Sequence, residues 1–325
     1  MLAGCGVRAL QSKGSENPRD GVSGMSRAFL RRHQLAVFFV LAYAISWTAQ
    51  VPGYLFARAE GVPLDNQANT AHLLDLVRGD PYPGLTPYLL LFSFAFGPTV
   101  AGVAVTAVAH GRAGLADLWR RVTLVRVPPR WIAVVLLLPV ALALVSLAAA
   151  FLINGLRPFG FDLLLPVSAF VPLLLYMLIC TGLAEEVGWR GYALPELQRR
   201  HTAEKASWLL GIGWGLWHIP SVLIGPYLLG QIHLGLVLPI LAGLTLGIVG
   251  WTIVITWIYN HTHSVFWVIV LHGWYNTVQS YLILSSEQFA AQAIFPLLPW
   301  AVAIFLLRRY GAQTLTRPAD TVTPT

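Results

Sequence analysis

Trp131-Ile132-Ala133-Val134-Val135-Leu136-Leu137-Leu138-Pro139-Val140-Ala141-Leu142-Ala143-Leu144-Val145-Ser146-Leu147-Ala148-Ala149-Ala150-Phe151-Leu152-Ile153-Asn154-Gly155 runs from one interface-type tryptophan to a glycine without a single charge. A helix crosses the hydrocarbon layer with about 20 apolar residues, whereas a barrel strand needs only about 9–11. The run therefore reads as a membrane-crossing helix and excludes a barrel. Similar runs lie at 34–57, 86–109, 166–184, 207–225, 234–258, 264–284 and 289–307. The expected fold is all-α: a polytopic transmembrane helical bundle of about eight spans.

Composition leads to the same class. Hydrophobic residues make up 56% and charged residues 11% of the chain, which is far too apolar for a soluble domain of 325 residues. The mean hydropathy is +0.66.

Charge placement tests the segmentation independently. With these spans, the N-terminal arm (Arg8, Lys13, Arg19, Arg27, Arg31, Arg32) lies on one side with the second loop (Arg112, Arg120, Arg121, Arg126, Arg130). The fourth loop (Arg190, Arg199, Arg200, Lys205) and the tail (Arg308, Arg309, Arg317) fall on that side too. Of the 21 Lys and Arg residues, only Arg58, Arg78 and Arg157 fall opposite. The positive-inside rule then puts both termini in the cytoplasm and requires an even number of spans. The net charge of +7 is accounted for by anionic head groups, so no nucleic-acid partner is expected. Leu118-Trp119-Arg120-Arg121 and Pro128-Pro129-Arg130-Trp131 read as interfacial anchors.

Residues 1–26, rich in Gly, Ser and charge, are expected to be a disordered arm, with Met25 as a candidate natural start. Residues 27–310 read as one integral-membrane domain with its motif core at about 165–285, followed by a flexible tail at 311–325. The stretch 58–85 reads as a solvated connector. Cys180, in an apolar span, and Cys5, in the arm, are not expected to form a disulfide.

Three polar clusters interrupt this apolar background. Charges near hydrocarbon cost about 2.5–3.5 kcal/mol on the lenient insertion scale and usually mark function. The first cluster is Ala184-Glu185-Glu186-Val187-Gly188-Trp189-Arg190-Gly191-Tyr192. On a helix Glu186 and Arg190 lie one turn apart and can pair, while Glu185 points elsewhere without a cation. Burial makes such a carboxylate a stronger proton acceptor, suited to acid–base work. The bland alternative is an inert juxtamembrane charge cluster.

The second cluster is Gly213-Trp214-Gly215-Leu216-Trp217-His218-Ile219-Pro220. Pro220 should stop or kink the helix and free carbonyls near the imidazole, and Trp214 could wall the site against lipid. The third is Leu271-His272-Gly273-Trp274-Tyr275-Asn276, in which His272 and Asn276 share a helix face. An imidazole and an amide donor can stabilise an oxyanion, although a structural histidine or an interhelical polar clamp is the plainer reading of each alone.

The order Glu-Glu-x-x-x-Arg, aromatic-x-x-x-His, His-x-x-x-Asn resembles the motifs of the CPBP family of intramembrane endopeptidases, the CAAX-protease and bacteriocin-processing (Abi) group. The matching residues are Glu185, Glu186, Arg190, Trp214, His218, His272 and Asn276, and Trp214 stands where phenylalanine is commoner. The resemblance covers roughly 165–285.

It implies that Glu185 activates a water held by His218, that His272 and Asn276 stabilise the oxyanion, and that Glu186 and Arg190 support them as an ion pair. If a metal takes part, the resemblance implies zinc on His218, His272 and Glu185. A metal-free glutamate–water mechanism uses the same residues, and the His-Glu-x-x-His zinc signature is missing. The implied partners are the bilayer and a membrane-associated peptide or protein substrate. The bacterial style of the flanks implies the bacterial inner membrane. A non-catalytic binding or bacteriocin-immunity factor on the same scaffold is the alternative. A proton-coupled transporter is disfavoured because no repeated halves with broken helices are evident.

Overall fold

The computed structural model describes residues 18–61, 75, 78–80, 96–157, 160, 162–163, 165–227, 230 and 232–316. Among these residues the chain is helical and contains no strand. The helices are α1 (Pro18–Ala59), α2 (Gly97–Val122), α3 (Pro129–Ile153), α4 (Val167–Gln198), α5 (Ala203–Trp217), α6 (Leu234–Thr262), α7 (Val265–Val278) and α8 (Phe289–Tyr310).

Five of the eight expected spans are helices long and apolar enough to cross a membrane: Arg32–Ala59 of α1, and α3, α4, α6 and α8. The other three runs are not among those five helices. The run at 86–109 lies partly outside the described residues; α2 begins at Gly97, bends at Gly111 and carries Asp117, Arg120 and Arg121 in its second half. In the run at 207–225, α5 ends at Trp217 and the chain continues in wide helical turns at Pro220–Tyr227. The run at 264–284 leaves α-helical geometry at Gln279, continuing in wider turns to Ile283. Hydropathy does not distinguish the last two from uniform α-helices because it registers apolar content and not backbone geometry.

Within the expected arm at 1–26, the backbone of 18–26 is helical, and a kink at His33 separates this segment from the apolar part of α1. Residues 1–17, and most of the 58–85 connector, lie outside the described residues.

The bundle shows apolar side chains to its surroundings. Leu137, Leu152, Val167, Leu238, Phe289 and Phe305 are all well over half exposed. A protein in water rarely shows contiguous apolar surface on this scale; one embedded in lipid must. The chain is thus an integral membrane protein.

Small residues bring the helices together. A Cβ on Gly188 would lie 2.1 Å from the Pro98 carbonyl oxygen, so α4 and α2 meet backbone to backbone. A Cβ on Gly182 would lie 2.6 Å from the Ile269 carbonyl oxygen, and one on Gly273 would lie 2.9 Å from Leu178 Cα, which fastens α4 to α7. Without hydrophobic driving force between helices in lipid, such close approach and its dispersion contacts are what hold a bundle together.

Candidate active site

Helix α4 is irregular where the carboxylates sit. Wide turns at Leu178–Leu183 and Trp189–Ala193 flank one α-helical turn, Ala184–Gly188. Such widened turns inside α-helices occur frequently at functional sites. They leave Glu185 and Glu186 on the interior of the bundle, 7% and 0% exposed.

The expected ion pair is present. Arg190 Nη1 donates to Glu186 Oε1 and Oε2 at 2.8 and 2.9 Å, with both side chains fully buried. Arg190 Nη2 donates to Thr252 Oγ1 of α6 at 3.2 Å, and its guanidinium carbon lies 4.4 Å from the centroid of the Trp214 ring. The arginine thus binds α4, α5 and α6 together around one charge.

His272 joins the same pair from α7. Its Nδ1 lies 2.8 Å from Glu186 Oε1. A carboxylate can only accept, so Nδ1 carries the proton in this contact and Nε2 is left for other partners. Glu186 therefore orients a histidine as well as pairing with Arg190, a link between helices that helical spacing alone cannot indicate.

Glu185 is held differently. Trp214 Nε1 donates to its Oε2 at 2.6 Å, and Trp189 Nε1 approaches the same oxygen at 3.4 Å. Trp214 was expected as a wall; it is also a hydrogen-bond donor to the carboxylate. Trp189 was not singled out from sequence, although its spacing from Glu185 matches that of Arg190 from Glu186.

The break after α5 does what Pro220 suggested. The His218 amide turns back to the Gly215 carbonyl, so the Trp214 carbonyl loses its helical donor. The His218 imidazole takes that place, with Nδ1 2.9 Å from Trp214 O. A carbonyl accepts only, so His218 also keeps Nε2 free of this bond.

Asn276 lies one turn beyond His272 on α7, and its Nδ2 donates to Thr181 Oγ1 at 3.1 Å. Thr181, in the first wide turn of α4, was not foreseen.

These groups surround one cavity of about 390 Å³. Glu185, Trp214, His218, His272 and Asn276 line it, whereas Glu186 and Arg190 stand behind the wall. Cys180, which is in no disulfide, and Gln50 of α1 also reach the lining.

Among the described residues no three His, Cys, Asp or Glu side chains come together in a way that could hold a metal ion. Glu186 takes up one nitrogen of His272, and a backbone carbonyl takes up one of His218. A histidine that binds zinc commonly gives its other nitrogen to such an acceptor, so Nε2 of both rings stays available, and the expected zinc set of His218, His272 and Glu185 would need these side chains to close in on one point.

Comparison with known proteins bears on this same region. Residues 167–278 match the family model described as type II CAAX prenyl endopeptidase Rce1-like. The CAAX prenyl protease 2 of Methanococcus maripaludis is 49% identical over 55 residues, which is 17% of this chain and 20% of the relative. The chain thus matches about a fifth of the length of that curated relative. The stretch matched by the family model holds all of the motif residues, and the two findings together support the CPBP/CAAX-protease family.

Proposed function

We propose that the protein is an intramembrane endopeptidase that hydrolyses peptide bonds of membrane-associated proteins or peptides. One observation supports this above the rest: a carboxylate and two imidazoles, each oriented by a separate protein partner, line one cavity among otherwise apolar helices.

Glu185 takes a proton from water as the oxygen attacks the peptide carbonyl, then delivers it to the leaving amine. The Nδ1 proton of His218 is engaged by a carbonyl, so Nε2 accepts a hydrogen bond from the water and aims it. The oxyanion receives hydrogen bonds from His272 Nε2 and the Asn276 amide. Glu186 holds the His272 ring through Nδ1, so that Nε2 is the nitrogen presented to the substrate. Arg190 holds that carboxylate in place on its other side.

No step here is routed through zinc. The relative's name refers to a prenyl substrate; a prenylated protein is one candidate substrate among membrane-associated peptides. The bacterial inner membrane is the location we propose.

The test is cleavage of a membrane-peptide library by detergent-purified protein, comparing wild type with Glu185→Ala and His218→Ala. Loss of cleavage in both variants supports the assignment, and activity surviving in both refutes it. A folded wild type that binds peptides and never cleaves them would favour the binding or immunity factor.

A further inference from the structure

Thr181 has no part in the roles proposed above, yet among the described residues it is the one hydrogen-bond partner of the Asn276 carboxamide. Both side chains line the cavity, Thr181 from α4 and Asn276 from α7.

The contact has a direction. Thr181 Oγ1 donates to the Met177 carbonyl at 2.5 Å, and a carbonyl oxygen only accepts. A hydroxyl has a single hydrogen, so toward Asn276 it offers lone pairs alone. Of the two ends of a carboxamide, only the amino group can meet lone pairs. Nδ2 therefore faces Thr181, at 3.1 Å, and Oδ1 turns away. The reversed amide would set two acceptors against each other.

This orientation decides what Asn276 can offer a substrate. An amide nitrogen carries two hydrogens, and Thr181 takes one of them. The second has no protein partner among the described residues and is the one available to an oxyanion. The terminal torsion of asparagine is broad and roughly two-fold, so without Thr181 the amide can turn over. A turned amide would present Oδ1, whose lone pairs repel negative charge.

The backbone under Thr181 is braced. It belongs to the wide turn Leu178–Leu183, whose last carbonyl accepts from Thr99 Oγ1 of α2 at 2.8 Å. Gly182, next in sequence, brings that turn against the backbone of α7 at Ile269. The turn is thus held from both α2 and α7.

We infer that Thr181 is a positioning residue, whose hydroxyl fixes the Asn276 carboxamide with its amino end as the donor to the oxyanion. This rests on the endopeptidase reading for the identity of the oxyanion, but the orientation of the carboxamide does not require turnover. Thr181 acts through Asn276 and need not touch the substrate.

The experiment uses full-length protein in detergent and two probes. One is an apolar peptide of the cleavage library; the other is its phosphonamidate analogue, with a tetrahedral anionic phosphorus in place of the scissile carbonyl. Thr181→Val keeps the branched shape and loses the hydroxyl. It should lower kcat about tenfold with KM little changed, and weaken phosphonamidate binding by a similar factor. That is less than the roughly 10²–10³-fold typical of removing an oxyanion donor outright, because the donor stays and only its orientation is lost. Thr181→Ser, which keeps the hydroxyl, should restore both. In an Asn276→Ala background, Thr181→Val should weaken phosphonamidate binding no further, because the group it positions is gone. A merely structural threonine would cost about the same in both backgrounds.

Wild-type kinetics in Thr181→Val would overturn the inference and leave the endopeptidase reading standing. A full tenfold loss in the Asn276→Ala background, or no rescue by serine, would overturn it too. Phosphonamidate binding with the expected coupling, but no cleavage by wild type, would uphold the positioning role and refute the endopeptidase reading alone. Failure of wild type both to cleave and to bind the phosphonamidate would overturn the two together.

Discussion

His272 Nδ1 and Glu186 Oε1 lie 2.8 Å apart, joining α7 to α4 through a carboxylate that Arg190 grips from the other side. Glu186 thus divides one buried charge between a permanent cation and an imidazole. Its neutral isostere should keep the volume and lose that orientation. Glu186→Gln is expected to lose about 10–100-fold in turnover, as removal of an orienting partner typically does. Both Glu186→Gln and Arg190→Ala also strand a fully buried charge, the guanidinium in one and the carboxylate in the other, a loss that typically costs about 3–5 kcal/mol. Detergent melting curves and cleavage rates for the two variants check this; a well-folded Arg190→Ala would sink the idea.

Two glycines three residues apart make a matched test of the bundle. A Cβ on Gly188 would meet the Pro98 carbonyl oxygen at 2.1 Å, a backbone atom that can move only if α2 moves. A Cβ on Gly191 would meet the end of the Leu118 side chain at 2.7 Å, which can rotate away. Gly188→Ala should cost at least the roughly 1–3 kcal/mol of ordinary overpacking, and Gly191→Ala well under that. Equal melting temperatures for the two variants would contradict the backbone contact between α2 and α4.

The sequence told more about which residues matter than about what each touches. Glu186 and Arg190 pair as helical spacing predicts, even though Arg190 lies in the wide turn that follows Gly188, because the long guanidinium side chain reaches back to the carboxylate. His272 and Asn276 share a cavity wall because a helix sets residues one turn apart on the same face. The contact between Glu186 and His272 was not legible, because it depends on Gly182 and Gly273 letting α4 and α7 approach. Gln50 and Thr181 were missed in the same way, since each looks like an ordinary polar residue in an apolar run until the helices are assembled. In the run at 207–225, noted for Pro220, α-helical geometry ends at Trp217 and wide turns continue from Pro220 to Tyr227, a change of backbone that apolar content does not reveal.

Trp214 offers a separable test of the two functions its position gives it. Its ring lines the cavity and lies under Arg190, while its Nε1 donates to Glu185 at 2.6 Å. Trp214→Phe keeps an aromatic ring and removes the donor. A hydrogen bond to a charged group is worth about 1.5–3 kcal/mol, so a tenfold or greater change in turnover is expected while the fold survives. Unchanged kinetics would show that Glu185 does not depend on that bond.

His263 links pH to stability at the end of α6. It caps the helix with φ of 51°, its amide bonded to the Tyr259 carbonyl. Burial, and after it the positive charges of Arg121, Arg120 and His261, hold its imidazole below the usual histidine range. The unfolded chain therefore binds the proton more readily than the folded one, and stability rises with pH. The loss should begin as pH falls through the unfolded value of about 6.5 and level off below the lowered folded value. Asparagine tolerates the left-handed conformation and does not titrate. His263→Asn should flatten the fall in melting temperature between pH 7 and pH 5, and identical slopes in the two proteins would refute this link.

Metal dependence yields the last prediction. His218 and His272 each give Nδ1 to a protein acceptor, and no third donor joins them to complete a metal site among the described residues. A catalytic zinc normally has three protein ligands and an open position. If Glu185 and the two imidazoles act directly on water and substrate, turnover should persist after dialysis against a strong chelator, and elemental analysis of active protein should find well under one zinc per chain. Loss of activity on chelation, restored by zinc and abolished by His218→Ala, would mean that these side chains rearrange around a metal when the enzyme works. Glu185 would then be a ligand, and the water it was assigned to activate would belong to the metal.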